Sequence, residues 1–366
     1  MQTEKLNSIN RIPSLTWNWL KMNRANAEIS IPENIKPLAK IEGRSDGIKI
    51  FRDSEEKCSE IPYIEKSLPE MQTISSEDYT KILDSTKCVN FAIISEKQSD
   101  EPAILNFNLD NNSSYIGKQT VIAEENSSLT LILNYTSLPF ANGIFGIQTK
   151  LWAKANSKIH LVKVQLLGQK IQYFDDTQSF AEDGASIEVT QIQLGSKESF
   201  SNVTSILNGY KSSFKSQTAC IAKDEQFFDM NYATIHKGHK TDTKMKFVGV
   251  LLDNAKKVYR GTIDFKNGCK GATGDEQEET LLLSKTAVNK SIPVILCDEE
   301  EVSGTHGATL GRLGANELFY FESRGISEKQ AEKIMTRAKV LSVAQKISDE
   351  KTLNKIKEFL GEEKDE

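Results

Sequence analysis

Cysteine is sparse in this chain and nowhere clustered: Cys58, Cys88, Cys220, Cys269 and Cys297 are odd in number and form no C-x-x-C pair. That pattern disfavours a disulfide framework and fits reduced thiols in a cytoplasmic protein. Long apolar runs are missing as well. No stretch suffices to span a bilayer, and Met1-Gln2-Thr3-Glu4-Lys5 lacks the apolar core of a signal peptide, so no membrane association is expected. Basic residues carry no excess: the formal net charge is −5, which offers no field for a phosphate backbone and argues against nucleic-acid binding. Nucleophile motifs and dinucleotide fingerprints are absent too. Gly268-Cys269-Lys270-Gly271-Ala272-Thr273-Gly274 is glycine-rich but has no Gly-Lys-Ser/Thr, which makes it a loop rather than a phosphate cradle. Asp298-Glu299-Glu300-Glu301 reads as a solvated charge run. Independent catalysis has no support.

What remains is a strong strand pattern. Up to about residue 87 the chain is mixed. Thr16 to Asn23, with Trp17 and Trp19, reads as a short amphipathic helix, and Pro32, Pro37, Pro62 and Pro69 break the sequence into short elements. Ser75-Ser76-Glu77-Asp78 opens a predicted helix with Tyr79, Ile82 and Leu83 at helical spacing. From Cys88 onward proline becomes scarce and period-two runs take over, as in Leu129-Thr130-Leu131 and Ile187-Glu188-Val189. Such runs mark strands with one buried face.

These strands repeat. Ala123 to Leu131 can be laid over Ala153 to Leu161 and over Ala181 to Val189, and more loosely over Ala222 to Met230. The alanines lie 30, 28 and 41 residues apart. The shared frame is a small residue, a polar Asn/Gly/Asp turn, then apolar residues two apart, at a solenoid-like period. A β-helix follows, with Leu129, Leu131, Ile159, Leu161, Ile187 and Val189 pointing inward. A β-sandwich is the alternative, but Asn-Gly hairpin signals are few (Asn142-Gly143, Asn208-Gly209 and Asn267-Gly268). Helical periodicity returns at the end. Ser327-Glu328-Lys329-Gln330 is a capping box, followed by a stripe of Ala331, Ile334, Met335, Ala338 and Leu341. Leu353, Ile356, Phe359 and Leu360 mark a last helix, giving a small helical unit at the end of the solenoid.

The histidines are four. His160 alternates within a strand and is expected to face solvent, whereas His236 and His239 read as turn residues, since no cysteine or carboxylate completes a ligand set at recognised spacing. His306 differs: small and polar neighbours, Val302-Ser303-Gly304-Thr305-His306-Gly307-Ala308-Thr309, leave its ring free to project from a tight turn. Neutral imidazole is a common iron and zinc ligand.

The His306 run, continuing through Leu318-Phe319-Tyr320 and Ser323-Arg324-Gly325-Ile326, resembles the C-terminal signature of the SufB/SufD family of iron–sulfur cluster assembly proteins. Asp253 to Ile263, Glu279 to Ser284 with Ile292-Pro293, and Cys297 to Val302 resemble further family segments. The likeness is dense from about Ala222 to Leu341. It implies a mainly β fold, a right-handed parallel β-helix flanked by N-terminal and C-terminal α-helical parts, divided as 1–87, 88–312 and 313–366. It further implies a non-catalytic scaffold subunit that pairs with a SufB-like subunit through the β-helix. By the same likeness, the ABC-type ATPase SufC docks through the C-terminal helices, expected here at Arg324, Gly325, Ile326, Ala331 and Met335. The family's interface histidine matches His306, the expected contact for iron or a nascent Fe–S cluster at the SufB–SufD interface. The cysteine often found two residues earlier in the family is Gly304 here, which points to a SufD-like role. A SufB-like homodimeric scaffold and a β-helix polysaccharide-acting enzyme are the alternatives.

Overall fold

The computed structural model describes residues 2–14, 19–31, 39–42, 47–52, 60–86, 89–111 and 113–361. Strands β1 (Gln2–Ile9) and β2 (Ala25–Ile31) form an antiparallel pair, followed by β3 (Ala39–Glu42), β4 (Ile48–Arg52), α1 (Ile61–Ser67) and α2 (Glu77–Ser85). The predicted second helix is present, capped by the Ser76 hydroxyl, which accepts from the Asp78 amide, with Tyr79, Ile82 and Leu83 buried. The tryptophan helix is not borne out where it can be seen. Trp19 to Lys21 form a turn, while Thr16, Trp17 and Asn18 lie outside the described residues.

From Val89 the chain winds as a parallel β-solenoid of about 8 turns. Its strands are β5 (Val89–Ser95), β6 (Ala103–Leu109), β7 (Tyr115–Ala123), β8 (Ser128–Ser137), β9 (Asn142–Ala153), β10 (Lys158–Leu166), β11 (Lys170–Ala181) and β12 (Ser186–Gln193). They continue as β13 (Glu198–Leu207), β14 (Ser213–Ala222), β15 (Phe227–His236), β16 (Asp242–Leu251), β17 (Lys256–Phe265), β18 (Thr273–Leu282), β19 (Val288–Cys297) and β20 (Ser303–Gly311). Successive strands alternate between two sheets. One sheet runs β20-β18-β16-β14-β12-β10-β8-β6-β3 and the other β19-β17-β15-β13-β11-β9-β7-β5-β4. The short strands β3 and β4 pair antiparallel with β6 and β5 and so close the N-terminal edge of each sheet. Three helices follow: α3 (Ala315–Glu322), α4 (Glu328–Ala344) and α5 (Glu350–Phe359).

The alanine repeat is a true structural register. Ala123 pairs with Ala153 and Ala153 with Ala181, while Leu129, Ile159 and Ile187 stack one above another. All six residues expected inside lie in the interior core. The polar turn recurs in the left-handed region at Asn126, Asn156 and Gly184, residue types that adopt positive φ at low cost. Each of these turns bonds the next: the Asn126 amide donates to Ala155 O at 3.0 Å and the Asn156 amide to Asp183 O at 2.8 Å. Ala222 is the exception. It ends β14 in the opposite sheet and pairs with Leu251, so the interval of 41 residues is one turn plus a half turn and superposes the other corner.

Burial of a single sheet face, as alternation suggested, holds for the outer turns only; β13 and β15 are buried on nearly every residue. The outer faces are covered from both ends of the chain. Leu6, Ile9, Ile29, Tyr79 and Ile82 pack on Ile116, Ile144, Phe174 and Phe200 of one sheet. Val340, Val343, Ala344, Ile347 and Ile356 pack on Val162, Val164, Ile192, Ile221 and Val250 of the other. Helices α4 and α5 therefore lie along the flank of the solenoid and not at its end. Their short apolar stripes cannot form a core alone and find one on the sheet. Inside, the two ends differ. Phe91, Phe107, Tyr115, Tyr135, Phe145 and Tyr173 form an aromatic plug near the start. Beyond it a polar interior network is inserted among apolar side chains such as Phe214, Phe228, Phe247 and Phe265.

Candidate metal and partner interface at the open end

That polar interior is built from inward positions of successive turns. The Lys163 ammonium bonds Asp175 Oδ1 and Thr177 Oγ1, both at 2.6 Å, and the Tyr173 hydroxyl donates to Asp175 Oδ2 at 2.9 Å. Further along, Lys257 is held by Glu278 and by Thr280 Oγ1 (3.0 Å) and lies 4.3 Å from the centre of the Phe247 ring. Charges this deep are tolerated because each is paired.

Glu276 is unlike them. It is 2 % exposed, and its Oε2 has no hydrogen-bond partner. Burial above all, then the neighbouring Glu278 and Asp275, push its carboxyl up to about 8, with Lys257 opposing. Its Oε1 lies over Gly261, where an added Cβ would stand 2.0 Å away, so any larger residue there would force the carboxyl to move. Sequence reasoning missed this residue. The available signal was the two-residue spacing of Glu276 and Glu278, which puts both on one face of a strand.

His306 lies on β20, the last strand of its sheet, with one edge unpaired. The predicted tight turn is thus an extended strand. Its run of small residues, Gly304, Gly307, Ala308 and Gly311, keeps the terminal edge slim, and it is exposed from Ser303 to Leu310. A Cβ on Gly304 would meet Phe265 and Ile295, so Gly304, His306, Ala308 and Leu310 face the interior side, while the Thr305 hydroxyl points outward and donates to Asp275 Oδ1 at 2.7 Å. Nothing above β20 covers them among the described residues: His306 is exposed and Leu310 is 58 % exposed. A cavity of about 360 Å³ adjoins β18 and β20, lined by residues of both faces, among them Lys246, Asp275 and Thr305 of the outer and Phe247, Glu278 and His306 of the inner.

The other candidates are scattered. His160 is half-buried on the outer face, its Nε2 3.0 Å from Thr190 Oγ1, and so does not stand clear in solvent as expected. His236 ends β15 and is buried, its Nδ1 2.7 Å from Thr241 Oγ1 and its ring 4.8 Å from that of Phe265; burial pushes it down to about 4. It is an interior residue, whereas His239 does sit in an exposed turn. Cys220 and Cys269 are buried, their thiols pushed up to about 12 and about 11 chiefly by burial, which leaves them inert. Cys297 is exposed on the terminal turn, and Cys58 and Cys88 lie outside the described residues. Among the described residues no trio of His, Cys, Asp or Glu is gathered to hold a metal ion, and no helix is long and apolar enough to cross a membrane.

In the C-terminal helices, the capping box at Ser327 and Gln330 is formed. Of the residues expected to dock a partner, Arg324 and Gly325 are exposed and Ile326 is half-buried. Ala331 is fully buried and Met335 packs against the sheet, so these two are claimed by the fold. What α3 does expose is aromatic: Phe319 is 72 % and Tyr320 54 % exposed, with Arg324 4.6 Å from the Tyr320 ring centre.

The class of protein is thus a parallel β-solenoid with covered flanks, an open terminal turn and an exposed histidine on its last strand. The chain belongs to the SufBD family: the model of the SUF system FeS cluster assembly SufBD core domain matches residues 107–339. It is SufD-like. The iron–sulfur cluster assembly protein SufD of Bacillus subtilis (strain 168) is 25 % identical over 227 residues, 62 % of this chain and 52 % of that protein. An iron–sulfur cluster assembly SufBD family protein of Staphylococcus epidermidis is 22 % identical over 212 residues, 58 % of this chain and 46 % of its own length. A chloroplastic SufBD family protein of Arabidopsis thaliana is 25 % identical over 170 residues, 46 % of this chain and 30 % of its own. The matched stretch thus spans about half of the bacterial relatives. The family match replaces the polysaccharide-acting alternative.

Proposed function

We propose that this chain is the SufD-type subunit of an iron–sulfur assembly complex and brings its open solenoid end against a SufB-type subunit. The observation that carries the reading is the terminal turn, with the free edge of β20, exposed Leu310 and exposed His306. An unpaired, small-residue strand edge invites pairing with another chain. His306 then stands at the joint, where it contacts iron or the nascent cluster as cargo. The absence of a cysteine at Gly304 suits this division, because thiolates, the preferred cluster ligands, come from the partner. An ABC-type ATPase of the SufC kind docks on the aromatic face of α3 and on Arg324-Gly325-Ile326. The test is His306→Ala in the reconstituted three-subunit complex. Assembly is expected to survive while anaerobic cluster yield collapses. Normal yield from an intact complex overturns the chemical role, and loss of assembly assigns His306 a structural one.

A further inference from the structure

We infer that Glu276 is a second protein ligand, beside His306, for a divalent first-row metal ion received at the open end of the solenoid. The inference rests on the reading of His306 given above. Glu276 and His306 are register partners on adjacent strands β18 and β20. Neighbouring strands lie about 4.8 Å apart, so side chains on the same face of partner residues stack directly. Both face the interior. A Cβ on Gly274, two residues before Glu276, would touch Ile263 and Phe265, just as one on Gly304, two before His306, would touch Phe265.

The carboxylate lacks the counter-cation that its burial calls for. Lys257 is taken by Glu278 and Thr280, and the Lys163 ammonium by Asp175. A buried polar oxygen left without a hydrogen-bond partner is costly to the fold, and a cation would supply the partner that Glu276 Oε2 lacks. The turn below is occupied by packed side chains; above Glu276 stands only the open turn that carries His306. A cation that satisfies Glu276 therefore comes through the mouth and meets the imidazole on the way.

The donor types narrow the ligand. One carboxylate oxygen and one imidazole nitrogen suit ferrous iron, manganese or zinc and not a soft thiophilic ion. Two protein donors leave coordination positions open, to be filled by water or by the partner subunit across the joint. The site so formed holds a mononuclear ion, and thiolates from the partner are needed before it becomes a cluster site.

The experiment is an anaerobic titration of the full chain with cobalt(II) chloride as a spectroscopic stand-in for iron. It follows the visible ligand-field bands, alone and in the complex with a SufB-type subunit. Wild type should bind saturably. Glu276→Gln should weaken binding at least about tenfold and change the band intensities, with thermal melting little changed because the amide is isosteric with the carboxyl. His306→Ala should weaken binding likewise. If Glu276→Gln misfolds, Glu276→Met, which fills the volume without charge, replaces it. Wild-type affinity in the Glu276 variant together with loss in His306→Ala overturns this inference and leaves the reading of His306 standing. Unchanged affinity in both variants, or no saturable binding in either state of the wild type, overturns both.

Discussion

The most exacting test of the packing scheme is Asp229→Ala. Asp229 and Arg260 sit at outward positions of β15 and β17, beneath the N-terminal segment, and each side chain is 1 % exposed. The guanidinium grips the carboxylate in two bonds, of 2.6 and 3.1 Å, and its Nε donates to Met22 O at 2.9 Å. Asn10 Nδ2 donates to Asp229 Oδ1 at 2.8 Å, and Asn231 Nδ2 donates to Asn10 O at 3.1 Å. Removing the carboxylate strands a buried guanidinium, a change that costs about 3–5 kcal/mol. For comparison, Lys49→Ala breaks the surface pair with Glu96, half-exposed on both sides, and should cost under about 1 kcal/mol. Urea unfolding followed by circular dichroism measures the difference. Limited proteolysis between residues 10 and 23 reports whether the segment lifts first, as local opening in a solenoid would have it. The double variant Asp229→Leu/Arg260→Met removes both charges and should recover most of the loss. A shift below about 1 kcal/mol in Asp229→Ala, or a double variant as unstable as the single, refutes the reasoning.

Two further outcomes are expected. His236 has an ordinary value of 6.5 and a folded value of about 4, held down by burial with Asp242 opposing. As pH falls from 6.5 to about 4 the unfolded chain takes up a proton that the folded chain refuses. Stability present above 6.5 is lost across that window, by up to about 3 kcal/mol, and His236→Leu should flatten the curve relative to wild type; parallel curves would sink the assignment. Phe319→Glu changes an exposed residue of a helix with none buried, so the fold should hold while affinity for the SufC-type ATPase drops about tenfold or more; an unaltered Kd by calorimetry would count against the α3 surface.

The solenoid was legible because period-two spacing reports sidedness and the alanine-to-turn frame reports register, both local properties. Ala123, Ala153 and Ala181 superpose in the structure as they do in the sequence. Ala222 misled because the two corners of a turn share the same small-then-polar chemistry, and only the pairing partner tells them apart. The cover on the outer faces was illegible, since it brings Asn10 to Asp229 and Thr352 to Asn134 across more than half of the chain. The same limit explains His306. Its small neighbours suggested a turn, but a terminal strand with nothing above it tolerates the same residues. Glu276 drew no reading from the sequence, because only the placement of its strand shows that its side is inward.

The return of the C-terminal helices along the solenoid has a consequence for how the chain is made. Lys339 ties α4 to Glu279 on β18, while Thr352 Oγ1 lies 2.9 Å from Asn134 Nδ2 on β8 and Lys355 Nζ donates to Asn106 Oδ1 on β6 at 3.0 Å. During synthesis the early turns can stack as they emerge, each on the one before. Their flank of Ile132, Val162, Val164 and Ile192 nevertheless stays bare until residues 328–360 leave the ribosome. Through that interval the molecule is a growing ladder with a sticky side, exposed to whatever apolar surface it meets first. Residues 328–360, translated after the strands they cover, act as an intramolecular chaperone for that flank.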